Sequence, residues 1–179
     1  MKIAIVYASL TGNTKKLSEK IKETCKNEDI IFNGTPLDVD IANIESADLI
    51  FVGSWTDKGN CCESIKGALK NLNNQAIAIF GTAGFGGSLE YFKKLEERFT
   101  LEIPESNQVL GAFYCQGKMP FSVRDRYSSM IKEHPEDKNL LVSLKNFDDA
   151  LSHPDSEDLT NVEAFSKKML TIRREQMLN

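Results

Sequence analysis

The run Ser9-Leu10-Thr11-Gly12-Asn13-Thr14 follows the apolar stretch Ile3-Ala4-Ile5-Val6-Tyr7 and leads into Lys15-Lys16-Leu17-Ser18-Glu19-Lys20-Ile21. A strand, a short polar loop and a helix start, in that order, make a phosphate cradle. Free backbone N–H groups at the helix start converge on an anion, and the helix dipole favours it. Gly12 permits a tight backbone path, while the hydroxyls of Ser9, Thr11 and Thr14 add rotatable donors. Neither Gly-x4-Gly-Lys-Ser/Thr nor Gly-x-Gly-x-x-Gly occurs, so a triphosphate or a dinucleotide pyrophosphate lacks its usual loop. A terminal monophosphate, held without a positive side chain, suits this loop best. The same residue types also form ordinary turns and N-caps, so two further loops decide the matter.

The second is Gly53-Ser54-Trp55-Thr56-Asp57-Lys58-Gly59, which carries the only tryptophan. The third is Gly81-Thr82-Ala83-Gly84-Phe85-Gly86-Gly87. Each follows a short apolar run. Trp55 and Phe85 above a phosphate cradle suit a planar ring with a phosphorylated tail, because aromatic faces stack on such rings. Singly, the tryptophan reads as a core cap, Phe85 as tucked beneath its own glycines, and the glycines as a flexible turn. Together, in this order, the three loops point to a phosphorylated aromatic cofactor.

The elements that must position these loops are legible. Strand signals recur at Ile3–Tyr7, near Ile30–Phe32 with an extension toward Val39, at Asp48–Gly53, at Ala76–Gly81 and at Val109–Cys115. Helical patterns separate them, over roughly Cys62–Asn71 and Ser88–Phe99. Short apolar strands alternating with amphipathic helices predict an α/β doubly wound parallel sheet of five strands, order 2-1-3-4-5, with helices on both faces. Ligands of such sheets sit at the carboxyl ends of the strands. The segment Lys118–Asp148, with Pro120 and Pro135, reads as short helices with an irregular connection. A last helix, begun near Asp158 or Thr160, presents Leu159, Val162, Phe165, Met169 and Ile172 as a core-facing stripe. At 179 residues the chain reads as one domain, 1–179, with 118–158 as an extension before that helix.

At this point the chain resembles the flavodoxin family. Ser9-x-Thr11-Gly12-Asn13-Thr14 is similar to its flavin mononucleotide (FMN) phosphate motif, and Trp55 stands where many members carry a tryptophan flanking the isoalloxazine ring. Gly81–Gly87 corresponds to the loop with the second flanking aromatic. The resemblance covers roughly residues 1–117. Gly117-Lys118-Met119-Pro120, with Ser152-His153-Pro154-Asp155, is similar to a subgroup with an extended C-terminal region. FMN is the implied cofactor, bound by the three loops, with no catalytic side chain and no metal. The resemblance implies electron transfer from a reductase to a partner redox enzyme. Two other classes stay open: a flavoenzyme reducing a quinone or tetrapyrrole-type ring under a 118–158 lid, and a non-redox accessory subunit.

Departures matter. A formal charge of −4 is modest for an electron-carrier flavodoxin, though it still argues against nonspecific nucleic-acid binding. The third loop has Phe85 and no acid before Glu90. Glu136–Asp158 carries seven acidic and two basic side chains, a docking surface or merely a solvated face. Around the flavin, Gly59 would let a carbonyl near Asp57-Lys58-Gly59 turn toward N5, while Lys58 would soften the penalty on a reduced, anionic ring. Gln116-Gly117-Lys118 would approach the flavin edge or a partner.

Cys61-Cys62 at a helix start is either a reactive thiol pair or packing beneath a loop. Four cysteines without CxxC spacing fit a reducing cytosol. His134 and His153, each before proline, read as turn residues. The start Met1-Lys2 enters a strand rather than a signal sequence, and no apolar run reaches membrane-spanning length. A cytoplasmic protein is expected.

Overall fold

A computed structural model describes residues 1–38, 44–86 and 88–178. Its strands are β1 (Lys2–Ala8), β2 (Asp29–Gly34), β3 (Leu49–Asp57), β4 (Asn60–Cys61), β5 (Ala76–Ala83) and β6 (Gln108–Gln116). Its helices are α1 (Asn13–Thr24), α2 (Glu63–Leu69), α3 (Leu89–Thr100), α4 (Phe121–Glu133), α5 (Lys138–Ala150) and α6 (Ser156–Leu178). The sheet order is β2-β1-β3-β5-β6 with every neighbour parallel, and β4 pairs antiparallel with β3. With the two-residue β4 set aside, this is the expected 2-1-3-4-5 order.

Alternation along the central strands builds two cores. Ala4, Val6, Ile50, Val52, Ile77 and Ile79 face Ile65, Leu69 and Phe99 of α2 and α3. Their neighbours Ile3, Ile5, Leu49, Phe51, Ala78 and Phe80 face Leu17, Ile21, Val162, Met169 and Leu170 of α1 and α6. Both strand faces are therefore apolar, as a parallel sheet between helix layers requires. Each fully buried aliphatic or phenyl side chain contributes about 1.5–3 kcal/mol. The expected stripe of the last helix holds: Val162 and Met169 are buried, and Leu159, Phe165 and Ile172 pack against the same core.

Several boundaries differ from the sequence reading. β3 continues through Ser54–Asp57 and β5 through Ala83, because register pairs such as Trp55 with Thr82 carry the ladder past the apolar runs. Lys58 and Gly59, at φ of 48° and 81°, form the two-residue hairpin into β4. The extension holds two helices of 13 residues each, joined by a short non-helical link, as the sequence reading expected. They pack chiefly on each other, with Phe147 and Ala150 buried and the Phe121 and Phe147 rings 5.9 Å apart. β2 ends at Gly34, and Val39 and Gly87 lie outside the described residues.

Two glycines of the expected loops serve packing instead. A Cβ on Gly53 would overlap the Phe80 ring, and one on Gly81 would overlap the Tyr114 ring. Gly53→Ala should lower the urea midpoint by the equivalent of about 1–3 kcal/mol, the cost of overpacking a tight core. Phe80→Leu added to it should recover part of that loss, and additive losses would show that the two sites do not meet.

Burial also governs the thiols. It pushes Cys25 and Cys61 up to about 12 and raises Cys115 further. All three thiols therefore stay protonated and unreactive near neutral pH. Native protein at pH 8 should label at these three positions only as fast as it unfolds, measured with a chromogenic disulfide reagent and peptide mapping.

Candidate functional site

The carboxyl ends of β1, β3, β5 and β6 meet at one edge. There a cavity of about 230 Å³ is walled by Leu10, Thr11, Asn13, Trp55, Thr56, Thr82, Ala83 and Gly84, and by Gly117–Pro120 and Val123. A second, mostly polar cavity of about 190 Å³ adjoins the helix start, against Thr11, Gly12, Asn13, Lys16, Lys118 and 151–154. Thr11, Asn13 and Lys118 line both. The pair is an apolar slot beside a polar, partly basic compartment, a common build for a small-molecule site.

The first loop is held by its own polar atoms. Gly12 takes φ of 85°, and a Cβ there would meet nothing within 4 Å, so the space over the loop is open. Lys16 N–H donates to Gly12 O as the first intrahelical bond. Asn13 and Thr14 N–H groups stand ahead of it, free of helix partners. Ser9 Oγ accepts from Lys15 N–H at 3.2 Å, so this hydroxyl shapes the loop. Thr14 is fully buried, its hydroxyl 3.0 Å from that of Thr82, which ties the first loop to the third. Asn13 Nδ2 donates to Thr11 Oγ1 at 2.8 Å and to Lys118 O at 2.9 Å. Lys16 Nζ reaches Pro154 O at 2.5 Å. Lys16 and Lys118 border the compartment beside Gly12.

In the second loop only Trp55 and Thr56 line the slot. Trp55 is half-buried, with part of its ring against the core. Ser54 Oγ donates to Trp55 O at 2.7 Å and accepts from Cys62 N–H at 2.9 Å, which fixes the tryptophan's backbone from below. Asp57, Lys58 and Gly59 belong to the hairpin and do not line it. Gly59 O accepts from Arg98 Nη1 at 3.2 Å. In the third loop Thr82, Ala83 and Gly84 line the slot, whereas Gly53, Ser54 and Gly81 lie within buried strand beneath it. Phe85 does not reach the wall. Its ring, 45% exposed, meets Tyr91 edge-on at 6.2 Å. Gly86 N–H donates to Asn146 Oδ1 at 3.3 Å.

What sequence reasoning missed lies in the extension. Met119 stands where a Cβ on Gly84 would be, and Gly117 gives the same close approach to Asn13. Gly117 N–H donates to Ala83 O at 2.9 Å, and Lys118 N–H donates to His153 O at 3.1 Å. Gly117-Lys118-Met119-Pro120 was conspicuous in the sequence, but Asn146 was not. It sits one residue from the buried Phe147, where an asparagine looks like any helix-surface polar residue.

The remaining reactive groups are engaged. Cys61 lies in β4, and Cys62, the residue before α2, has its thiol 3.3 Å from Ser64 Oγ. His153, Asp155 and Asp158 bring ligand atoms within 4.8 Å of one another. Their bonds are those of a helix cap: Asp158 Oδ2 accepts from Asp155 N–H at 2.9 Å and lies 2.6 Å from His153 Nδ1. Asp155 Oδ1 accepts from Glu157 and Asp158 N–H groups. Those two donors, Asp158 first, hold the Asp155 carboxyl below its ordinary range.

Known proteins share this build. The flavodoxin domain model matches residues 4–167. The flavodoxin-like domain-containing protein BilS of Clostridioides difficile (strain CD3) is 36% identical over 171 residues, 95% of this chain and 97% of that one. A protein of the same name from Clostridium symbiosum (strain WAL-14163) is 36% identical over 178 residues, covering 92% and 94%. Oxidised flavodoxin 2 of Bacillus cereus superposes with a TM-score of 0.59 at 18% identity, covering 96% of this chain and 99% of its own. A flavodoxin from the domain Archaea superposes with 0.53 at 16% identity, covering 97% and 99%. Among the described residues no helix is long and apolar enough to cross a membrane. The chain belongs to the flavodoxin family.

Proposed function

We propose that this chain binds FMN and carries electrons from a reductase to a partner redox enzyme. One observation carries the reading: an apolar slot beside Trp55 opens onto a polar compartment at the Thr11–Asn13 turn, with Thr11, Asn13 and Lys118 shared between them. The residues fit the cofactor. Thr11 and the leading amides of α1 would hold the phosphate, with Lys16 and Lys118 beside it, and Trp55 would cover the ring. Bound FMN supplies reversible electron transfer at its isoalloxazine. Trp55, Ala83 and Met119, which line the slot, would exclude water from that ring and so disfavour charge on its reduced form.

A slot of about 230 Å³ suits one flat ring. The carrier reading rests on that single ring site and on the family, whose members include flavodoxins. Partner contact would be mainly apolar. Leu10 on the wall and Phe85 and Phe121, each next to a wall residue, are 64%, 45% and 67% exposed. The acids of 136–158, by contrast, are largely occupied within the extension. Asp148 pairs with Arg124, Asp149 with Lys145, and Asp137 caps α5.

FMN added to apoprotein should quench the single tryptophan strongly. Trp55→Ala should weaken binding by about 1–3 kcal/mol, the scale of a lost base–aromatic stack. Thr11→Val should cost FMN about tenfold or more, the loss of a hydrogen bond to a charged group, and riboflavin less than twofold. Equal losses for both flavins would remove the phosphate from this loop.

With FMN bound, anaerobic NAD(P)H oxidation by the protein alone should be slow and should become fast with a flavodoxin reductase. The coupled rate should fall only gently as ionic strength rises, in keeping with an apolar contact. Rapid unaided turnover of NAD(P)H with a quinone would replace the carrier by a flavoenzyme.

A further inference from the structure

The α4–α5 pair packs chiefly on itself, yet its attachment to the body is concentrated at the candidate site. Among the described residues, the side-chain hydrogen bonds from these two helices to the third loop and β6 all run through Asn146. Its Nδ2 donates to Gly84 O at 3.0 Å, and its Oδ1 accepts from Gly86 N–H at 3.3 Å and from Gln116 Nε2 at 3.0 Å. Gln116 Nε2 also donates to Gly84 O at 3.3 Å. One side-chain amide thus satisfies both a carbonyl and an N–H of the third loop, as a facing strand would. Met119, just before α4, fills the space left by the absent side chain of Gly84. Lys118 O accepts from Asn13, so the strap leading into α4 also grips the first loop.

The loop so held contains Gly84 and Gly86, whose backbones have no side-chain packing of their own to fix them. Asn146 bonds both ends of the Gly84–Gly86 turn, which Gln116 and Met119 otherwise restrain only at Gly84 O and by packing. We propose that Asn146 is a positioning residue of the flavin site. Through it the docked extension holds the third loop in its ring-binding shape, and ring binding in turn tightens the docking of α4–α5. The inference rests on the flavin reading and adds to it the role of the extension. Reciprocity follows from linkage: whatever flavin gains from the docked extension, the extension gains from flavin.

The test uses the full chain with FMN and riboflavin as probes. Asn146→Ala should weaken both flavins by the same factor, tenfold or more, because the ring rather than the phosphate is affected. Its apoprotein should melt within a few degrees of wild type. Asn146→Asp keeps the acceptor for Gly86 and Gln116 but loses the donor to Gly84, so its loss should be smaller than that of Asn146→Ala. In wild type, FMN should slow amide exchange in 121–150, and in Asn146→Ala that slowing should vanish. A purely structural role would lower stability without abolishing this flavin-dependent protection. Binding of FMN to Asn146→Ala within twofold of wild type, or protection that survives the substitution, would overturn the proposal while leaving the flavin reading intact. Failure of wild type to bind FMN would overturn both.

Discussion

Parallel pairing of β1, β3, β5 and β6 is the constraint on which the site depends. It sets Ala8 beside Ser54, Trp55 beside Thr82, and Ala83 beside Gln116. Residues far apart in sequence therefore end at one level. The register has little freedom. Ile50 and Val52 face one helix layer while Leu49 and Phe51 face the other, and a slip of one residue would exchange the two sets. The buried hydroxyl pair Thr14–Thr82 then ties the start of α1 to the end of β5. Neither threonine would be tolerated there unpaired, because a buried hydroxyl without a partner costs about 1–3 kcal/mol.

The fold was legible because its signals are local. Apolar runs, helix stripes and the strand–loop–helix motif each follow from short-range periodicity, and the order of elements follows from their alternation. Element ends were less so. Ser54–Asp57 and Thr82–Ala83 are polar or small, yet they are strand, since a neighbour's backbone extends the ladder whatever the side chain. This divided the expected site glycines into two kinds. Gly12 and Gly84 border the cavities, whereas Gly53 and Gly81 make room for Phe80 and Tyr114 beneath them. From sequence alone the four look the same, because the ring that excludes a Cβ lies on another strand.

Phe85 shows the same limit. An aromatic in a glycine-rich loop suggested a second cover for the ring, but Tyr91 of α3 offers it an edge-on partner. The slot is closed on that side by Met119, a flexible thioether that fits irregular gaps. Met119 and Asn146 come from a segment with no strand and no recognisable motif beyond Gly117–Pro120. Their relevance depends on how two helices fold back over the strand ends. No periodicity encodes that return. It is written in a few specific contacts, and a glycine and an asparagine carry most of them.

The use of charge in the extension follows from the same geometry. A two-helix unit with so small a core must find stability in its caps and pairs, and the segment's acids supply them. Asp137 caps α5, Asp148 meets Arg124, and Asp155 and Asp158 begin α6. Carboxylates spent on helix ends hold fixed positions and are partly neutralised by the amides they accept from. The strand-end face, bordered by Lys16 and Lys118 and rimmed by Leu10, Phe85 and Phe121, instead favours recognition by shape and apolar area over electrostatic steering. Under the carrier reading such a face would select partners by fit, because an apolar contact rewards only surfaces that close against it.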